Sequence, residues 1–231
     1  MRQTGRYIFI LVIIMALWNT VIIKPIKLFA VFLHELGHSC MVFIFGKGIS
    51  AFSICLAENS HIFANATGWF SSFMIANGGY LGSLVFALLI IYSKRIFLKN
   101  YIMGLLAILF LSISVLYAEL SWTFLYSAIF AAVVILMYMT KREEINEWFI
   151  DVVGTASLAY AVYDIFIDTI LLQVNSSFKI LPAWKMQGEI TDAMNLEKMT
   201  CIPAYIWGIV WLAIYLIAIN FIVLKPVKRR R

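Results

Sequence analysis

Two histidines and a glutamate fall within five residues, as His34-Glu35-Leu36-Gly37-His38, inside the otherwise apolar run 28–45. Side chains this polar are costly in hydrocarbon and mark function where they occur there. In a helix, positions four apart are neighbours on one face, with Cβ atoms about 5–6 Å apart. The imidazoles of His34 and His38 could therefore converge on one ion, at Zn–N distances of about 2.0–2.1 Å. Glu35 projects to one side of that pair and can reach a metal-bound water without taking a coordination position. The metal lowers the pKa of such a water toward about 7, and the carboxylate accepts its proton. Gly37 has no side chain and leaves room for another backbone, or a substrate, to come close. The competing reading is a structural histidine pair bonded to neighbouring helices. Two of the chain's three histidines sit in the motif, in surroundings that make each one costly, and this favours the metal.

A catalytic zinc takes three protein ligands and leaves a fourth position for water. Glu119, in "LYAELSW", belongs to a turn near the interface. Asp164 and Asp168, in "AYAVYDIFIDTILL", are surrounded by apolar residues and share a helix face. At 1.5 Å rise per residue, His34 and His38 lie about 10 and 16 Å from Lys27, where their segment starts. Asp164 and Asp168 lie about 14 and 8 Å from Gln173, where theirs ends. If those ends share a membrane side, Asp164 meets the histidines in depth and is the expected third ligand. Asp168 is then the supporting partner that accepts the N–H of a ligating imidazole, although the two aspartates could exchange roles. His61 is assigned no metal.

The rest of the chain dictates the solvent in which these groups must be positioned. Of 231 residues, 63% are hydrophobic and 13% charged, and the mean hydropathy is +0.93. Soluble domains carry about 25% charged residues, so the chain reads as a multi-pass integral membrane protein. Its net charge of +6 reads as membrane topology and not as nucleic-acid binding, because the basic residues cluster between apolar segments and at 225–231. Cys40, Cys55 and Cys201 are odd in number and lack metal-type spacing, which excludes a disulfide framework and a zinc knuckle. At about 20 apolar residues per crossing, seven segments are expected: 8–23, 27–45, 68–93, 99–118, 121–140, 148–173 and 202–224. Between the second and third, "GKGISAFSICLAENSHIFANAT" (46–67) alternates apolar and polar residues around a polar turn, the pattern of a β-hairpin. Residues 174–200 read as a polar loop over the membrane surface. Basic residues at both ends favour the same side for each and hence an even number of crossings, so one of the seven must be re-entrant or interfacial. The expected architecture is an all-α polytopic bundle of about six to seven segments with one small hairpin, in a single domain.

"NGGYLGS" (77–83) carries Gly79 and Ser83 four apart, a small-xxx-small pair of the kind that lets helices approach. Asn77 in the same stretch could either support packing or hydrogen-bond a substrate backbone or an oxyanion.

With these motifs in view, the chain resembles the site-2 protease family of intramembrane zinc metalloproteases, especially its short members. The resemblance rests on "HELGHS" (34–39), the specific motif, supported by "NGGYLGS" (77–83), "YDIFIDTI" (163–170) and "TDAM" (191–194). It implies one zinc per chain bound by His34 and His38, Glu35 as catalytic acid/base, and a ligand aspartate on a later transmembrane helix. Better-studied members carry that aspartate before glycine, a dipeptide absent here. The expected activity is hydrolysis of peptide bonds in membrane-embedded or membrane-adjacent protein substrates within the lipid bilayer. Two rivals use the same residues: a metal or proton transporter, and a catalytically silent membrane scaffold. Transporters often show internal repeats or paired broken helices, and the sequence has neither.

Overall fold

Pro25, at the first turn of the motif helix, supplies a fixed φ where no backbone donor is needed. That helix, α2 (Lys24–Phe45), ends at Gly46, whose N–H caps the carbonyl of Val42. In this computed structural model the described residues are 3–46, 68–117, 121–178 and 191–221, and all of their regular structure is helical. The other helices are α1 (Gln3–Ala16), α3 (Trp69–Ser93), α4 (Ile102–Tyr117), α5 (Ser121–Met139), α6 (Glu143–Ile165), α7 (Leu172–Phe178), α8 (Asp192–Thr200) and α9 (Ala204–Ile219). A π-helical stretch, Phe166–Leu171, joins α6 to α7. The expected hairpin, apart from Gly46, lies outside the described residues.

The expectation of six to seven crossings is corrected. Among the described residues, three helical stretches are long and apolar enough to cross: Val21–Phe45, Trp69–Ser93 and Glu143–Asn175. A fourth is reached only if α8 and α9, bent by 117° at their junction, are taken as one broken span. The apolar helices Thr4–Ala16, Ile102–Leu116 and Phe124–Met139 are shorter. Hydropathy counts apolar residues without seeing where the backbone turns. The run 8–23 is broken after Ala16, where the Thr20 hydroxyl donates to the Leu17 carbonyl at 2.7 Å and a 3-10 turn (Val21–Ile23) leads into α2. The polar loop expected at 174–200 is corrected as well. Its last part is α8, with Ala193 and Leu196 fully buried, and α8 bends into α9 through Cys201 in the left-handed region (φ 58°).

Helix directions follow from the contacts. The Ser71 hydroxyl donates to the Phe45 carbonyl at 2.8 Å, so the end of α2 meets the start of α3 and the two run antiparallel. At the far end of α3, Lys94 pairs with Asp151 in α6, while Tyr80 reaches Asp168 beyond the end of α6, so α3 and α6 are also antiparallel. Trp207 packs on Phe73, Trp211 bonds Asn77 and Tyr215 bonds the Tyr80 carbonyl, which sets α9 parallel to α3.

The α2–α3 crossing is backbone on backbone. A Cβ on Gly37 would lie 2.3 Å from the Gly78 carbonyl oxygen and 3.0 Å from Gly82 Cα. The small pair that admits α2 is thus Gly78 and Gly82, one residue out of step with the expected Gly79 and Ser83. The face of α2 turned away from the histidines presents Phe29, Phe32 and Leu33 to α4 and α5, where Phe29, Phe32, Phe110 and Phe130 form a ring cluster with centroids 4.4–5.9 Å apart. Ring pairs of this kind contribute about 0.5–1.5 kcal/mol each beyond area burial, and they fix the rotation that turns the histidines toward α3.

Gly37→Ala must push α3 away, because the obstruction is backbone. It is expected to cost about 1–3 kcal/mol, the scale of overpacking, read as a lowered Tm in detergent. Gly78→Ala meets mainly the flexible Met41 side chain and should cost less.

Candidate metal centre

His34 and His38 lie on the α3-facing side of α2, one turn apart, with Nε2 atoms 3.1 Å from each other. A third group joins them from α8: Asp192 Oδ2 lies 3.2 Å from His34 Nε2 and 3.0 Å from His38 Nε2. Candidate ligand atoms of the three residues all fall within 4.8 Å of one another. Asp192 is the first residue of α8, and Thr191 before it caps the helix by accepting the Met194 N–H at 3.3 Å. The carboxylate therefore sits in the first turn, where the helix dipole favours negative charge. Glu35, next in sequence to His34, is buried at 2% exposure.

The supporting groups decide which lone pairs face inward. His38 Nδ1 lies 2.8 Å from the Ile75 carbonyl oxygen. A carbonyl can only accept, so Nδ1 donates, and in the neutral ring Nε2 is the acceptor. The ring of His34 is held edge-on against Tyr80, centroids 4.8 Å apart at 77°. Tyr80 is fixed at both ends: its hydroxyl donates to Asp168 Oδ2 at 2.6 Å, and its carbonyl accepts the Tyr215 hydroxyl at 2.6 Å.

The expectations for the α6 aspartates change accordingly. Asp164 lies within electrostatic range of His34, Glu35, Asp168 and Asp192, but the carboxylate that reaches both imidazoles is Asp192. The depth comparison took Lys27 and Gln173 as ends on one side. The helix directions put them at opposite ends of the bundle, so that matching of depths loses its basis. Asp168 accepts from Tyr80, while the Ile75 carbonyl orients the His38 ring in the way foreseen for Asp168. Asn77 is engaged in packing bonds: Oδ1 accepts the Trp211 indole N–H at 3.0 Å and Nδ2 donates to the Phe73 carbonyl at 2.9 Å. Asp192 could have been found in "TDAM" (191–194), where a threonine cap precedes an aspartate and apolar residues recur at 193, 196 and 199 in helical spacing.

This arrangement spans early and late parts of the chain, and so does the likeness to known proteins. The Peptidase M50B-like family matches residues 7–222. The chain belongs to that family. It is accordingly an integral membrane metallopeptidase of the site-2 protease type. No match was found among curated proteins or among solved structures.

The residues of this family member fit a metal ion. Two imidazole nitrogens and a carboxylate oxygen converge at 3.0–3.2 Å, a donor set of the kind that can hold a cation. Ligands at about 2.0–2.1 Å from a tetrahedral zinc lie about 3.3 Å apart. The space is also kept free of carbon: a Cβ at position 79 would lie 2.3 Å from His34 Nε2 and 2.5 Å from His38 Nε2. Gly79→Ala should therefore displace both rings. The expected loss of metal affinity exceeds the roughly 10–100-fold cost of an outer-shell change, measured by metal analysis of purified protein that retains its helical circular dichroism.

Proposed function

We propose that the chain is a zinc endopeptidase that hydrolyses peptide bonds of membrane-embedded or membrane-adjacent proteins, with one zinc held by His34, His38 and Asp192. The observation that carries this reading is the convergence of Asp192 on both imidazoles at 3.0 and 3.2 Å, beside the buried Glu35. Three protein ligands leave one position open, the pattern of catalytic zinc sites. When bound, zinc supplies Lewis-acid polarisation of the scissile carbonyl and a water that is more easily deprotonated.

The chain's own groups do the rest. Glu35 takes the proton of the attacking water as the new C–O bond forms and then returns it to the amine nitrogen, on which the peptide C–N bond breaks. Its position one residue from His34 gives it that reach without making it a ligand. The Ile75 carbonyl holds the His38 ring in register, and Tyr80 holds His34 from the side. A substrate carbonyl already bonded within a helix is a poor target, so the substrate segment unwinds locally before it is cut.

Glu35→Gln should abolish turnover of a membrane-embedded substrate while leaving bound zinc and Tm unchanged. Near-wild-type proteolysis in that variant excludes the mechanism.

The ligand assignment has its own test. Asp192→Ala is expected to lose zinc and activity together, whereas Asp164→Ala retains stoichiometric metal. The reverse pattern in metal analysis returns the third ligand to α6.

A further inference from the structure

Asp151 of α6 is fully buried, and two cations reach its carboxylate. Arg6 Nε of α1 lies 2.8 Å from Oδ2, and Lys94, just past the end of α3, pairs with Oδ1. A single carboxylate balances only one of them, so the cluster keeps a positive charge over. Such a charge is costly in surroundings of low dielectric unless an anion meets it. The neighbouring acids of α6 are engaged or turned outward. Glu143 pairs with Lys99 at 2.7 Å, Glu147 lies within electrostatic range of the same lysine, and Glu144 is exposed. A third cation adds to the excess: Arg95 follows Lys94 and acts electrostatically on Tyr7, whose hydroxyl accepts from Lys94 Nζ at 3.3 Å.

The cluster also has donors to spare and a way out. Arg6 Nη2 is buried yet makes no hydrogen bond among the described residues. The Arg6 and Lys94 side chains keep 19% and 14% exposure. The guanidinium lies over the Trp148 ring at 3.9 Å, and that indole is itself exposed, as tryptophans at a membrane interface are. Apolar surface descends from the cations on two helices. Ile8, Phe9 and Val12 follow Arg6 on α1, Val85, Leu89 and Tyr92 precede Lys94 on α3, and all six are exposed. The metal centre is remote, since Gly79 is about 21 Å along α3 from Ser93.

We propose that Arg6, Lys94 and Arg95 bind one anionic phospholipid, whose phosphate supplies the missing negative charge and whose acyl chains lie along α1 and α3. Guanidinium and phosphate match in geometry and form charge-assisted hydrogen bonds, and basic pockets between membrane helices take anionic headgroups. A zwitterionic lipid carries its own cation beside the phosphate and leaves the excess charge in place. A free phosphate ion lacks the acyl chains that the apolar surface would hold. The bound lipid ties α1 to α3 across Asp151, independently of the peptidase reading.

The test uses full-length protein stripped of lipid in neutral detergent. Phosphatidylglycerol at about a hundredfold excess over its Kd should raise Tm by about 5–10 °C, and phosphatidylcholine at the same concentration should raise it markedly less. Arg6→Gln and Lys94→Gln each leave Asp151 with one balancing cation, and each should weaken phosphatidylglycerol binding by about tenfold or more. Asp151→Asn removes the internal counter-charge and should bind that lipid more tightly. Lys141→Gln, which removes an exposed cation from the α5–α6 connection, should respond as the wild type does. Native mass spectrometry should find one phosphatidylglycerol retained by the wild type and lost from Arg6→Gln, or from Lys94→Gln if the first variant fails to accumulate. Equal responses to the two lipids, a response reproduced by inorganic phosphate alone, weaker binding in Asp151→Asn, or a loss in Lys141→Gln as large as in Arg6→Gln overturns the proposal.

Discussion

The contact in which Gly37 meets Gly78 and Gly82 sets how near α3 comes to the metal-binding face of α2. Hydrocarbon gives apolar helices little reason to associate, since lipid tails solvate leucine as well as another helix does; close packing and interhelical hydrogen bonds must supply it. The glycines supply the first of these. They also bring the Ile75 carbonyl within hydrogen-bond distance of His38, so the fold's tightest approach and the histidine's orientation are one event. The same approach leaves Gly79 facing the ring nitrogens, where any larger residue would occupy the place of the ion.

Around that contact three interior hydrogen bonds join α3 to its neighbours. Asn77 ties α3 to α9 through Trp211, Tyr80 ties α3 to the π-helical turn through Asp168, and Tyr215 returns from α9 to the Tyr80 carbonyl. Each bond satisfies a group that would otherwise be left bare in a medium without water, at a cost of several kcal/mol. Close packing helps again at Gly208, where an added Cβ would collide with Thr169 of the π-helical turn. Single π turns within α-helices recur at functional sites. Here the wider turn carries the aspartate that accepts the Tyr80 hydroxyl.

The motif on α2 was legible because its chemistry is local: ligands four apart need only a helix to face the same way. The closeness of α2 and α3 was partly legible. Glycines at small-residue spacing announce a contact, but which of Gly78, Gly79 and Gly82 bears it depends on helix rotation, which spacing does not reveal. Asp192, which meets both imidazoles, was not singled out as a candidate ligand. Asp164 and Asp168 were conspicuous because they are charged residues in an apolar run, and that is a signal of cost and not of direction. Asp192 stands in a stretch polar enough to pass for a surface loop. Its burial comes from Ala193 and Leu196 on a helix of nine residues, too short to register as a membrane element. Depth arithmetic could not recover it, because that reasoning needs the relative sense of two helices, and this is a property of the whole topology.

The three converging groups come from residues 34, 38 and 192 of 231. A ribosome delivers the first two early and the last only after α3 to α7 have been made. During synthesis the histidine pair therefore enters the membrane without its carboxylate, and the full donor set does not exist until residue 192 has been made. α8 is in turn held by the Trp69 indole and by its junction with α9, so the set closes fully only when the last described helix has packed. The order of the sequence thus acts as a timer: a truncated or half-inserted chain carries the most recognisable motif of its family and lacks the assembled centre.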